Sequence, residues 1–126
     1  MVDDGRRRSM REYQKRRTAA RREHGLVSRT TWIRSEDAEA YSRAVAPFVD
    51  HARLIEAVIG SVTVSPVEIV EIIRKHQLPY DPEDIIFLTR IFETVALQPD
   101  DYEKIIERAK VIIARHGFRI SVEDLI

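Results

Sequence analysis

The 126-residue sequence contains no cysteine, which excludes thiolate nucleophiles, thiolate metal ligands and disulfide bonds. It has only four glycines, and none of the glycine-rich motifs of nucleotide-binding loops or nucleophile elbows occurs. It also has no run of eighteen apolar residues and no apolar segment typical of a signal peptide. We therefore expect neither a membrane span nor secretion, and we expect a cytoplasmic protein.

The chain also lacks net charge, but this neutrality is the sum of two opposed parts. Residues 1–34 hold eleven Lys and Arg against four Asp and Glu, whereas residues 35–126 hold ten against seventeen. Such a basic block repels itself and is stabilised by contact with a polyanion, although it could also fold back onto the acidic body. The predicted nucleic-acid-binding residues of this basic arm, which spans residues 1–25, are Arg6, Arg7, Arg8, Arg11, Lys15, Arg16, Arg17, Arg21 and Arg22.

Local signals predict that part of the basic arm is a helix over residues 10–24. Ser9 and Glu12 have the spacing of a capping box, and Gly25 is suited to end the helix. The apolar side of this helix is thin, so we expect it to fray until it is bound.

Residues 26–34 are rich in β-branched side chains and predict a short strand. The acidic start at 35–37 and the apolar spacing beyond it predict a helix that Pro47 interrupts. A second helix is predicted from His51 to Ile59, before Gly60.

The strand TTWIR, the helix opening SEDAEAY and the segment ARLIEAVI together resemble the ribbon-helix-helix DNA-binding family, over residues 26–62. The resemblance implies an obligate dimer in which the strands of two chains pair and enter the major groove of DNA. The family usually has Gly and Ser or Thr before its second helix, where this chain has residues 47–50, PFVD. Under this reading the strand residues that contact DNA are Ser28, Arg29, Thr30 and Thr31. The competing reading buries Trp32 inside an ordinary helical domain.

Residues 63–126 predict further amphipathic helices. Ser65-Pro66 and Asp81-Pro82 have the form of helix starts, and Pro99 opens the last long helix before Gly117. The predicted fold is therefore mainly α: a basic helix or arm, one short strand, and about five helices in a small helical domain.

The predicted helix over residues 82–97 is apolar on more than one face. Such a helix is either central in the fold or shared between chains. We expect Ile86 and Phe87 to face another chain, while packing within one chain is the alternative. In the first case residues 63–126 form the module for assembly or for binding a protein partner.

Catalysis has little support in the sequence, and we expect neither an enzyme nor a bound metal or cofactor. The four histidines are far apart in sequence and lack the spacing of zinc motifs, and the paired acids stand at predicted helix starts. The expected function is that of a sequence-specific, homo-oligomeric DNA-binding transcriptional regulator, with DNA preferred over RNA as partner. The alternative is an accessory subunit of a nucleoprotein complex whose arm binds RNA or DNA without reading sequence.

Overall fold

The computed structural model describes residues 4–126, and the side chains of Asp4 and Arg6 lie outside the described part. The described chain is mainly helical, which confirms the predicted fold class. Three single 3₁₀ turns lie at Ser35–Asp37, Pro99–Asp101 and Val122–Asp124. The six α-helices are α1 (Asp4–Glu23), α2 (Ala38–Val58), α3 (Pro66–His76), α4 (Pro82–Thr89), α5 (Ile91–Leu97) and α6 (Tyr102–His116).

Helix α1 begins earlier than the capping box predicts, but it ends where Gly25 predicts. Gly25 has φ +86°, and the amide of Leu26 donates to the carbonyl of Arg21 over 2.8 Å. This is the hydrogen bond of a Schellman-type helix end, which needs a left-handed residue. A Cβ at Gly25 would also lie 3.1 Å from Cδ of Arg119, so the end of α1 packs closely against the C-terminal part of the chain.

The predicted strand over residues 26–34 is wrong for the chain as described. No strand is assigned anywhere in residues 4–126, and this segment has no regular structure until the turn at Ser35. The physical reason is that β-branched residues favour a strand only where a second strand supplies the hydrogen bonds, and one chain offers none here.

The predicted break at Pro47 is also wrong, since α2 continues through it as one helix. Proline removes a single backbone donor and strains one turn, and flanking turns can hold the helix together across that defect. The two predicted helices of the 26–62 unit are therefore one helix. Its second half supplies Leu54, Ala57 and Val58 to the core.

The predicted helix starts at Ser65-Pro66 and Asp81-Pro82 are confirmed, whereas Pro99 begins a 3₁₀ turn and α6 itself begins at Tyr102. The amide of Glu68 donates to Oγ of Ser65 over 3.2 Å, and the amide of Glu83 donates to Oδ1 of Asp81 over 2.9 Å. These side chains satisfy amides that have no partner within the helix. Gly117 ends α6 with φ +67°.

The single helix predicted over residues 82–97 is instead two helices, with a break at Arg90. Arg90 has φ −116° and ψ 11°, and the hydroxyl of Thr89 donates to the carbonyl of Ile86 over 2.8 Å. A hydroxyl that bonds a nearby carbonyl competes with the helical pattern. The break places Ile91 in the core, whereas the next residue, Phe92, is 70% exposed.

Helix α4 lies at the centre of the bundle, in contact with α2, α3, α5 and α6. Its central place accounts for the apolar character that its sequence has on more than one face. No helix in the described residues is long and apolar enough to span a membrane. The largest fully buried side chains are Leu54, Ile69, Ile85, Leu88, Ile91 and Ile112.

Candidate nucleic-acid interface

The outward face of α1 carries a row of exposed basic side chains. Arg7, Arg11 and Lys15 follow at four-residue spacing, and Arg8 and Arg22 lie on the same face, each two turns from Lys15. None of the five forms an ion pair with another described side chain. A twenty-residue helix is about 30 Å long, so this row can contact several successive phosphates.

The last two turns of α1 lie against the acidic body, on the side away from this row. Arg21 Nη2 is 3.3 Å from Oε2 of Glu56, and Arg17 Nη2 donates to the carbonyl of Ser61 over 3.4 Å. Part of the arm therefore does fold back onto the body, as the alternative interpretation of its charge expected. Arg8 and Arg16 are exposed, and the side chain of Arg6 is outside the described part.

The predicted strand residues lie in the irregular segment between α1 and α2. Ser28, Arg29, Thr30 and Thr31 are all exposed. Trp32 is 99% exposed, so the competing prediction that buried it is wrong for this chain.

Exposed apolar side chains are concentrated in the same segment and in the first half of α2. A protein surface that exposes large apolar groups close together in the chain is typical of an interaction site. These side chains are Val27, Trp32, Ile33, Tyr41, Phe48 and Val49.

The two predicted interface residues of α4 are partly buried. Ile86 and Phe87 both pack against the core, and the guanidinium carbon of Arg108 lies 4.2 Å from the centre of the Phe87 ring. This cation–π contact covers one face of Phe87 within the chain. An interface through this pair remains a prediction.

A cavity that the sequence analysis missed lies where α1 ends. Its volume is about 390 Å³, and its lining includes three of the four histidines, His24, His51 and His116. Their positions in the sequence are 27 to 92 residues apart, and only the packing of the ends of α1 and α6 near the middle of α2 brings them together. The spacing of histidines in the sequence contains no signal of this site.

The inner wall of the cavity is held by side-chain contacts. The hydroxyl of Tyr80 and Nε2 of His51 share a hydrogen bond. The Tyr80 ring meets His116 edge-on at 5.3 Å between ring centres and lies 5.2 Å from Phe118. Nε2 of His116 donates in turn to the buried carboxylate of Asp84 over 3.2 Å.

Asp84 therefore does more than stabilise the start of α4. Its side chain is only 10% exposed and accepts from Nη1 of Arg115 as well as from His116. This pairing compensates the cost of burying a carboxylate and fixes the orientation of the His116 ring.

Burial affects the protonation of two residues that line the cavity. Burial lowers the pKa of His51 below its ordinary value and raises the pKa of Tyr80. The pair is therefore neutral near pH 7. Within residues 4–126, no three His, Asp or Glu side chains are placed to share a metal ion.

Comparison of the chain with protein-family models, with curated proteins and with solved structures finds no match.

Proposed function

We propose that this protein binds nucleic acid through the outward face of α1 and acts in the cytoplasm as a DNA-binding transcriptional regulator. The observation that carries the proposal is the row of five exposed cations on one helix face, without ion pairs to other described side chains. Contacts of this kind supply affinity for phosphate and position the protein, and base contacts must supply sequence choice.

Sequence choice is assigned to residues 28–31, in line with the ribbon-helix-helix resemblance. Pairing of this segment between two chains would create the ribbon and would cover exposed apolar groups such as Trp32 and Ile33. The active form in this proposal is a homo-oligomer, with residues 63–126 open to a protein partner.

A second candidate is an accessory subunit whose arm binds RNA or DNA without reading sequence. The irregular conformation of residues 26–34 in a single chain favours it, because α1 alone then supplies the contacts. Selection from a random pool of duplexes separates the two candidates, since only the regulator enriches a defined sequence.

The test compares two double variants that remove the same charge from opposite faces of α1. Arg11→Gln with Lys15→Gln should reduce the slope of log K against log salt by about 1.8 on duplex DNA, at about 0.9 per phosphate contact. Arg17→Gln with Arg21→Gln is the matched control and should change the slope less, because these side chains contact the body. Equal reductions would mean that net charge acts without a defined face.

A further inference from the structure

The cavity at the end of α1 is continuous with the basic surface that the proposed function uses. His24 and Gly25, which follow the last residue of α1, line it. Leu26 lines both this cavity and a neighbouring groove of about 370 Å³ that contains Arg21 and Arg22. The cavity and the arginines at the end of α1 are therefore neighbours on the surface.

The walls of the cavity offer ring faces, and its rim offers positive charge. Phe48 is 75% exposed at the edge, with Tyr80 and Phe118 further in. The guanidinium of Arg119 is at the rim and forms no ion pair with another described side chain. The volume of about 390 Å³ lies within the range of about 300–1,000 Å³ that is typical of small-ligand sites.

We propose that this cavity binds a nucleotide, with its planar base against the aromatic rings and its phosphate beside Arg119. If the nucleotide is an unpaired base within a strand that α1 binds, this inference rests on the proposed function. Aromatic side chains stack on any base, and Arg binds phosphate with paired donors. Bases stacked within a duplex cannot enter the cavity, so it distinguishes single strands from duplexes.

Two carboxylates near the cavity, Asp84 and Glu56, are paired with arginines, whereas Asp124 keeps its negative charge and opposes a phosphate placed beside His24. Asp84 is paired with Arg115 and His116, and Glu56 is paired with Arg21. Oδ2 of Asp124, which interacts with His24, accepts from the amide and the hydroxyl of Ser121.

The experiment measures the affinity of the full chain for three probes: a single strand of about 12 nucleotides, a duplex of the same length, and adenosine monophosphate. The variants are Phe48→Ala and Arg119→Gln, both at exposed positions where loss of folding is not expected. The matched controls are Phe92→Ala and Arg74→Gln, which remove an exposed ring and an exposed guanidinium outside the cavity.

Both cavity variants should weaken binding of the single strand at least about fivefold, the loss expected for one stacked base, and leave duplex binding unchanged. The controls should bind all three probes as the unmodified chain does. The cavity variants could instead abolish binding of adenosine monophosphate without a selective loss of affinity for the single strand. That result would assign the cavity to a free nucleotide. The proposal would be overturned if the cavity variants lost affinity equally for the single strand and the duplex. It would also be overturned if they lost no affinity and the chain did not bind adenosine monophosphate.

Failure of the proposed function gives a different result. In that case the full chain binds neither the single strand nor the duplex, and binding of adenosine monophosphate becomes the test of the cavity. Saturation-transfer NMR that detects contact with the mononucleotide, lost in Phe48→Ala, would support the site. No contact with the full chain would overturn it.

Discussion

His51 makes the stability of the molecule sensitive to pH at a single residue. Burial lowers the pKa of His51 in the folded chain below its ordinary value of 6.5. As pH falls, the unfolded chain therefore takes up this proton before the folded chain does. The contribution of His51 to stability is fully present above pH 6.5 and is lost as pH falls through the folded pKa.

Replacing His51 with Phe tests this linkage, because Phe keeps a ring beside Tyr80 and cannot be protonated. The loss of thermal stability between about pH 7.5 and about pH 5.5 should be smaller in the variant than in the unmodified chain. The other titrating groups, including the His76–Asp50 pair on the same side of α2 and His116 beyond Tyr80, are common to both proteins. Equal losses in the two proteins would contradict the assignment.

Residues that act through a local rule could be predicted from the sequence, and residues that act through packing could not. Ser65, Asp81 and Gly117 cap helices by contacts within a few positions along the chain. The contact of His51 with Tyr80 joins residues 29 positions apart. No short spacing in the sequence encodes such a contact.

At the scale of whole elements, helix type was predictable but two boundaries were not. Pro47 does not end α2, and the helical pattern that crosses Arg90 does not prevent a break there. Both outcomes depend on local detail that the apolar pattern does not contain: flanking turns hold α2 together across Pro47, and the Thr89 hydroxyl bonds a carbonyl of α4. The predicted strand failed for a related reason, since a strand is defined by its partner.

The segment of residues 26–34 carries a prediction of its own under the proposed regulator. Arg29 with Thr31, and Ser28 with Thr30, lie on opposite faces of any extended conformation. Each pair is replaced by Ala in a separate variant. Only one of the two variants should lose discrimination between DNA sites, by roughly 1–3 kcal/mol per lost base contact. The measurement is competition between a selected site and a scrambled duplex.

Two results of that competition would speak against readout by a ribbon. Equal loss of affinity on both duplexes would mark phosphate contacts. No effect from either pair would remove residues 28–31 from the interface and favour the accessory subunit.

At the scale of the whole molecule, two surfaces are candidates for the proposed self-association. The exposed apolar groups around Trp32 form one, and the predicted pair Ile86 and Phe87 forms the other. The first is open in the single chain, whereas Phe87 is partly covered by Arg108. We therefore expect Trp32 to contribute more to the assembly.

Analytical ultracentrifugation with helicity followed in parallel separates the two surfaces. Trp32→Ala should give a folded particle of lower mass, because a fully exposed side chain contributes little to folding of the monomer. A folded, smaller particle from Phe87→Glu with unchanged mass in Trp32→Ala would assign the interface to α4. Unfolding of Phe87→Glu would assign Phe87 to the core, since an unpaired charge is costly in apolar surroundings.

The central claim is that α1 anchors the whole molecule to nucleic acid by its charge. The most direct test is the salt dependence of duplex binding for the full chain and for a chain without residues 1–24. The full chain should have a slope of about −4 to −5 in log K against log salt from its five outward cations, at about −0.9 per phosphate. The shortened chain should bind far more weakly and with a flatter slope, while its thermal stability changes little because α1 is mostly exposed. An unchanged slope after removal of α1 would contradict the account.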